Sequence, residues 1–435
     1  MTKLRARGLL LIVISSTVTL MSACGDSPAT APLAPVISGP LATSSVVEVI
    51  ATDLGVLTVG GQSAAFGIND AGQAVGDATG ADGWPRPVLF RNGIVTELPM
   101  PSGSNYGSAT DLNNEGQAVG YSVTFGVGIR PLLWDMTASP ITFRDLGMPD
   151  GSNAAFAFAI NDAGLVVGGF RDPITFNNWP VSWQVAPVIN MSPLPTPPGN
   201  GFGFAQGVND AGRIVGSASG KALIWHAGLI EHDLGEGAAV AISNDGKVVA
   251  FDISSSIFIW DDGTFGRISG LGYARGINSA GQISGGFQAQ PVVWQNTGTV
   301  TLPGLPLGGG EGYGDAYGIN DAGQVVGRTY LENDARAVLW TFVAFTPAAI
   351  LDGIVATVEA LVISSGIDKA LGGALLSKMH AATRLLDQGK TEAVTGQLQA
   401  FINQVESLMK SGQLSPENGE ALIDAARGVI AQIQD

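Results

Sequence analysis

Residues 65–76 read Ala65-Phe66-Gly67-Ile68-Asn69-Asp70-Ala71-Gly72-Gln73-Ala74-Val75-Gly76, and six later stretches repeat the phrase. A small residue leads into Ile-Asn-x-x-Gly, followed by a short apolar run that ends in glycine. The central glycines Gly72, Gly116, Gly164, Gly212, Gly246, Gly281 and Gly323 stand 44, 48, 48, 34, 35 and 42 residues apart. A period of this length, rich in strand and turn signals, marks a β-propeller.

Each copy reads as four short strands. The first begins with an alanine that persists throughout, at Ala65, Ala109, Ala157, Ala205, Ala239, Ala274 and Ala316, which predicts crowding around an innermost strand. Asn-Asp-x-Gly then supplies turn chemistry: side chains that bond nearby backbone, and a glycine free to take φ > 0. The second strand follows. The third ends in an aromatic (Phe90, Trp134, Trp183, Trp225, Trp260, Trp294, Trp340) predicted to fill space between neighbouring sheets. The fourth runs to a Leu-Gly or Leu-Pro step, as at Leu98-Pro99 and Leu146-Gly147. No such step follows Trp340, whereas a spare one, Asp53-Leu54-Gly55, precedes the first copy. The expectation is an all-β seven-bladed propeller over 46–343, its ring closed by the N-terminal strand, which hides both sheet edges. The fifth copy is the most worn, with Ser243 in place of Asn and Ala250 in place of Gly.

These residues carry a resemblance. The Ala-x-Gly-Ile-Asn-Asp-x-Gly-Gln-x-Val-Gly phrase, the Leu-Trp strand and the Asp-Leu-Gly step together resemble the HAF-repeat family of extracellular bacterial proteins, over roughly 46–343. The resemblance implies fold and location but no activity.

The first 24 residues look like an export signal. Lys3, Arg5 and Arg7 precede an apolar core, and Met21-Ser22-Ala23-Cys24-Gly25 resembles a bacterial lipobox. The reading is a lipoprotein signal peptide over 1–23, lipidation of Cys24, and a tether over 24–45 carrying Pro28, Pro32, Pro35 and Pro40. An exported, lipid-anchored protein on an extracellular or periplasmic face is expected. With one cysteine, no disulfide can form within the chain. Apolar residues recur at helical spacing over 351–362, 367–387, 391–409 and 416–433, so residues 347–435 are predicted to form a small all-α bundle. The run from Gln397 to Val405 is similar to helical modules that end secreted bacterial hydrolases and surface proteins.

The charge balance, 21 Lys+Arg against 37 Asp+Glu and a net −16, argues against nucleic acid or anionic membrane as a partner. Three histidines (His226, His232, His380), no nucleophile elbow and no phosphate loop leave little for catalysis. Asp70, Asp162, Asp210 and Asp321 recur in the hairpin turns, where backbone capping accounts for them, and the turn offers too few oxygens for calcium. No cofactor or metal is expected. Sialidase propellers have a similar turn, but their Thr-Trp ending is missing from every copy.

Variation among the copies is the better guide to a site. Four residues before the third-strand aromatic stand Arg86, Arg130, Trp179, Lys221, Ser256, Gln290 and Arg336. Arginine offers a planar donor fork and tryptophan a flat face, so Arg86, Arg130, Trp179, Lys221 and Arg336, with Trp84 in an adjacent insert, are candidate ligand-binding residues for an anionic or sugar ligand. The competing account makes them strand-entry residues paired with local carboxylates. The functional expectation is a non-catalytic surface protein that binds a glycan or protein partner. A polysaccharide hydrolase or lyase using rim carboxylates, and a structural envelope scaffold, are the alternatives.

Overall fold

A computed structural model describes residues 47–434, apart from 187, 296–297, 306–312, 332–333, 345–346 and 365. The signal peptide, Cys24 and the tether lie outside the described residues.

Among the described residues, the sheets are five of four strands and one of seven, all antiparallel. The first copy shows the pattern: Ser63–Ile68, Ala74–Thr79, Pro85–Arg91 and Ile94–Glu97, hydrogen-bonded in chain order. The seven-stranded sheet joins the fourth and fifth copies. Its long strand Leu229–Ile242 ends one unit and begins the next. The N-terminal strand Val47–Gly55 pairs with Asp334–Ala344, so the spare Asp-Leu-Gly segment completes the seventh copy as the sequence predicts.

The motif residues have clear packing reasons. Each leading alanine lies directly across from the residue that closes its own motif, Ala65 from Gly76, Ala157 from Gly168 and Ala316 from Gly327. Six of the seven alanines are wholly buried. A Cβ on Gly76 would stand 1.9 Å from the Ala64 carbonyl oxygen, so glycine here follows from close approach of two backbones. Six of the seven third-strand aromatics are buried between sheets, Trp294 being half-buried, and four of their indoles also donate to the preceding copy. Trp134 Nε1 reaches Pro99 O at 2.7 Å, Trp183 Gly147 O at 3.2 Å, Trp225 Pro195 O at 2.7 Å, and Trp340 Pro303 O at 2.8 Å. The Leu-Gly or Leu-Pro step is thus the acceptor of the neighbour's tryptophan.

Every first strand carries a β-bulge between the leading alanine and the residue two further on. The extra residues are Phe66, Thr110, Phe158, Gln206, Val240, Arg275 and Tyr317. A bulge re-aims its residue out of the ladder.

Antiparallel strands joined in order put the first-to-second and third-to-fourth turns at one end, the turn end. The second-to-third loops and the links between copies lie at the other, the loop end. Val47 pairs with Ala344 at the turn end, so the described β-structure begins and finishes there.

Four helices follow: α1 (Pro347–Ile363), α2 (Lys369–Asp387), α3 (Thr391–Lys410) and α4 (Pro416–Gln434). Their apolar faces share one core around Leu351, Leu375, Met379, Leu398, Phe401, Val405 and Ala426. Ser415 Oγ accepts from Asn418 N at 3.3 Å, the cap expected before Pro416. The second helix starts two residues later than its periodicity suggests, because the Asp368 carboxylate caps Ala370 N at 2.8 Å. No described helix is long and apolar enough to cross a membrane.

Candidate functional site

At the turn end, side-chain amides link one copy to the next. Asn69 Oδ1 accepts from Gln73 N at 3.0 Å within its own hairpin, while its Nδ2 donates to Asn113 O of the next copy at 3.2 Å. The same step recurs from Asn113 to Asn161, Asn161 to Asn209, Asn209 to Ser243, Asn278 to Asn320 and Asn320 to Asn69. Ser243 has no amide to donate, so no side-chain bond of this kind joins it to Asn278.

The turn aspartates were expected to cap their own hairpins. They instead accept the backbone N–H of the preceding copy: Asp162 Oδ1 from Asn114 N at 2.8 Å, Asp210 Oδ1 from Asp162 N at 2.9 Å, Asp70 Oδ1 from Asp321 N at 3.0 Å. These carboxylates surround a cavity of about 150 Å³ and are occupied with backbone donors. Asp111 is the exception in this cavity. It replaces the Gly or Ala of the other first strands, and its Oδ2 accepts from Ile160 N at 3.0 Å. Burial, aided by the nearby Asp162 charge, pushes its carboxyl up to about 7. A wider cleft of about 760 Å³ opens at the same end beside the 135–141 turn, with exposed Arg91 and Glu97 in its wall.

At the loop end three of the five predicted third-strand residues pair with an aspartate of their own fourth strand. Arg130 meets Asp145 at 2.7 Å, Lys221 meets Asp233 at 3.5 Å, and Arg336 meets Asp53 at 2.6 Å. Arg86 binds Asp82, lies 3.9 Å from Glu97, and donates to Asn105 O at 3.1 Å. The aspartate of each Asp-Leu-Gly step thus does two jobs. One oxygen accepts the glycine N–H, at 2.8 Å for Gly55, 2.8 Å for Gly147 and 2.9 Å for Gly235, and the other holds the cation. Trp179 is half-buried, with its ring against Gly201, where a Cβ would come within 2.4 Å, and its Nε1 has no partner among the described residues. Trp84 is exposed. It stacks on Tyr106 at 5.8 Å and meets Phe125 edge-on at 5.4 Å.

His232 rests against Trp260, 5.0 Å between ring centroids, and is half-buried; His226 is exposed.

A second loop-end cluster went unread in the sequence. Asp315 accepts from Tyr273 Oη at 2.6 Å, Arg328 Nε at 2.9 Å, Tyr317 Oη at 3.1 Å and Tyr330 Oη at 3.4 Å. Burial opposes ionisation of Asp315, but the Tyr273 hydroxyl and the Arg328 guanidinium outweigh it and hold the carboxyl below its ordinary value. Arg275 lies over the Tyr273 ring at 5.3 Å and the Tyr317 ring at 5.8 Å. It is exposed and forms no ion pair among the described residues. The signal for this cluster was the position after the leading alanine, which varies from Val240 to Arg275 to Tyr317 inside an otherwise constant phrase.

Residues 351–431, spanning most of α1 to α4, match the FIMAH domain. No curated protein matches the chain. Among solved structures, a catalytically inactive virginiamycin B lyase from Staphylococcus aureus in complex with quinupristin is similar over 68% of this chain and 100% of its own, at 12% identity and a TM-score of 0.47. A puromycin-hydrolyzing peptidase from Mycobacterium tuberculosis is similar over 64% of this chain and 52% of its own, at 13% identity and a TM-score of 0.39. The Aleuria aurantia lectin, as an asparagine-to-glutamine mutant in complex with Fucα1-6GlcNAc, is similar over 65% of this chain and 94% of its own, at 11% identity and a TM-score of 0.28. These are propeller folds, and likeness at this level says nothing of binding or catalysis.

Proposed function

We propose that this chain is a non-catalytic binding protein of the cell envelope: a seven-bladed propeller of the HAF-repeat kind, closed by its N-terminal strand, lipidated at Cys24, that recognises a glycan or protein partner through its loop-end rim. Closure is supported by the Asn320 to Asn69 bond and by the pairing of Val47–Gly55 with Asp334–Ala344. The observation that carries the functional reading is the contrast between the ends. Turn-end carboxylates and amides are committed to backbone partners. The loop end presents Trp84, Phe125, Phe176, Phe202, Phe287 and Tyr330 exposed, apolar surface of the kind that marks interaction sites. The β-structure also begins and finishes at the turn end, which leaves the loop end unobstructed by its own chain entry and exit.

A polysaccharide and glycan array, probed with the full chain and with Trp84→Ala, Arg130→Ala and Trp179→Ala, tests the rim. Loss of binding in one or more variants with an unchanged unfolding midpoint supports it; no binding, or binding indifferent to all three, counts against it. Fatty-acid labelling that persists in Cys24→Ala would refute the anchor.

One observation favours an enzyme. Asp111 breaks the repeat and carries a proton affinity suited to general acid work near neutral pH. Polysaccharide cleavage by the wild type that vanishes in Asp111→Asn would favour the hydrolase or lyase reading.

A further inference from the structure

We infer that Arg275, with Tyr273 and Tyr317, forms a binding site for the carboxylate of an acidic saccharide. The inference rests on the binding reading above and gives it a ligand class. Among the cations of the inner strands, Arg328 is committed to Asp315 through Nη2 at 2.8 Å. Among the described residues, Arg275 pairs with no such carboxylate. Two phenol rings shelter its plane, and its planar donors remain exposed, the geometry in which an arginine takes a carboxylate in bidentate fashion.

The rings are held in place. The Tyr273 hydroxyl is fixed by Asp315, and its ring lies on Gly286, where a Cβ would come within 2.2 Å of the phenol. Tyr317 is gripped from three sides: its hydroxyl by Asp315, its face by Arg328 at 5.7 Å, and its edge by Phe66 at 5.0 Å. Arg275 therefore sits on a rigid platform, and ordering it for a ligand costs little entropy. Asp315 and the nearby Asp77 both face Arg328, so Arg275 is the cation of the cluster left without an ion pair among the described residues, in a chain of net −16. That local sign selects an anion against the field of the whole molecule. The class of anion follows from the surroundings. Phe287, Tyr313 and Tyr330 are 40%, 49% and 41% exposed at the loop end of the same two copies. Flat exposed rings beside a carboxylate receptor suit hexuronate units, which pair one charged group with an apolar sugar face.

The test is titration calorimetry on the full chain with a galacturonate oligomer, its methyl ester and poly-glutamate, using wild type, Arg275→Gln, Arg275→Lys and, at the turn end, Arg91→Gln. The expected result is binding of the oligomer that weakens tenfold or more in Arg275→Gln and less in Arg275→Lys, is unchanged in Arg91→Gln, and is lost for the ester. Ester binding equal to the acid, equal binding of poly-glutamate, or oligomer binding indifferent to Arg275→Gln overturns this site. If glycans still bind the array through Trp84 while Arg275→Gln changes nothing, this site fails and the binding function stands. If the wild type binds nothing on either platform, both fail. Circular dichroism of each variant separates lost binding from lost fold.

Discussion

Asn320 donates its side-chain amide to the backbone oxygen of Asn69 at 2.9 Å, joining residues 251 apart in sequence. The same bond, repeated from copy to copy, turns a local hairpin residue into a long-range fastener. Each asparagine satisfies its own turn through Oδ1 and its neighbour's through Nδ2. Both atoms are buried, so each bond is costly to leave unmade.

The fastener is missing one step, where Ser243 replaces asparagine. Ser243→Asn is expected to extend it to Asn278 O and to raise stability by about 1 kcal/mol. Asn161→Ala removes both functions at once and is expected to cost on the order of 2–3 kcal/mol. Denaturant unfolding measures both. No gain in Ser243→Asn would mean that the fifth and sixth copies are spaced too far apart for the bond.

The indole bonds are separable from indole packing. In Trp134→Phe the ring remains buried but Pro99 O loses its donor, for an expected cost of about 1 kcal/mol. Trp134→Ala also empties the space and is expected to cost about 3–5 kcal/mol. The first copy already carries Phe90 at this position, so the fold itself survives the first change. Equal losses in the two variants would contradict this division.

Much of this was legible in the sequence. The repeat fixed strand order, hairpin chemistry and the borrowed N-terminal strand, because each depends on local signals recurring in register. The ion-pair reading of Arg130, Lys221 and Arg336 was also open to inspection, since their partners Asp145, Asp233 and Asp53 occupy one motif position. What escaped was geometry between copies. Nothing in Asn-Asp-x-Gly says that asparagine and aspartate reach the adjacent turn, and a bulge leaves no mark on strand periodicity. Arg275 therefore looked like one more variable position.

The strand Val47–Gly55 covers the edge of Asp334–Ala344 and brings Val49 and Ala51 onto the core that holds Trp340. A chain beginning after residue 55 would expose that edge and lose the Arg336 partner Asp53. It is expected to lose on the order of 3 kcal/mol and to associate through the open edge. Size-exclusion chromatography beside thermal unfolding checks this; a monomer of unchanged midpoint would show that the strand is dispensable.

Asp111 makes stability depend on pH in an unusual direction. Its folded carboxyl is raised from 3.8 to about 7, so between those values the native state holds a proton that the unfolded chain releases. Stability from this group is therefore complete below about pH 4 and declines as pH rises through 7. Asp77 acts in the same sense over a narrower window, since burial raises it to about 6 despite its bond with Ser108 and the nearby Arg328 charge. Asp111→Asn keeps an acceptor for Ile160 N and removes the ionisation. The variant is expected to match the wild type near pH 4 and to unfold at higher temperature than it by pH 8. A midpoint difference that stays constant across that range would show that Asp111 titrates alike in the folded and unfolded chain.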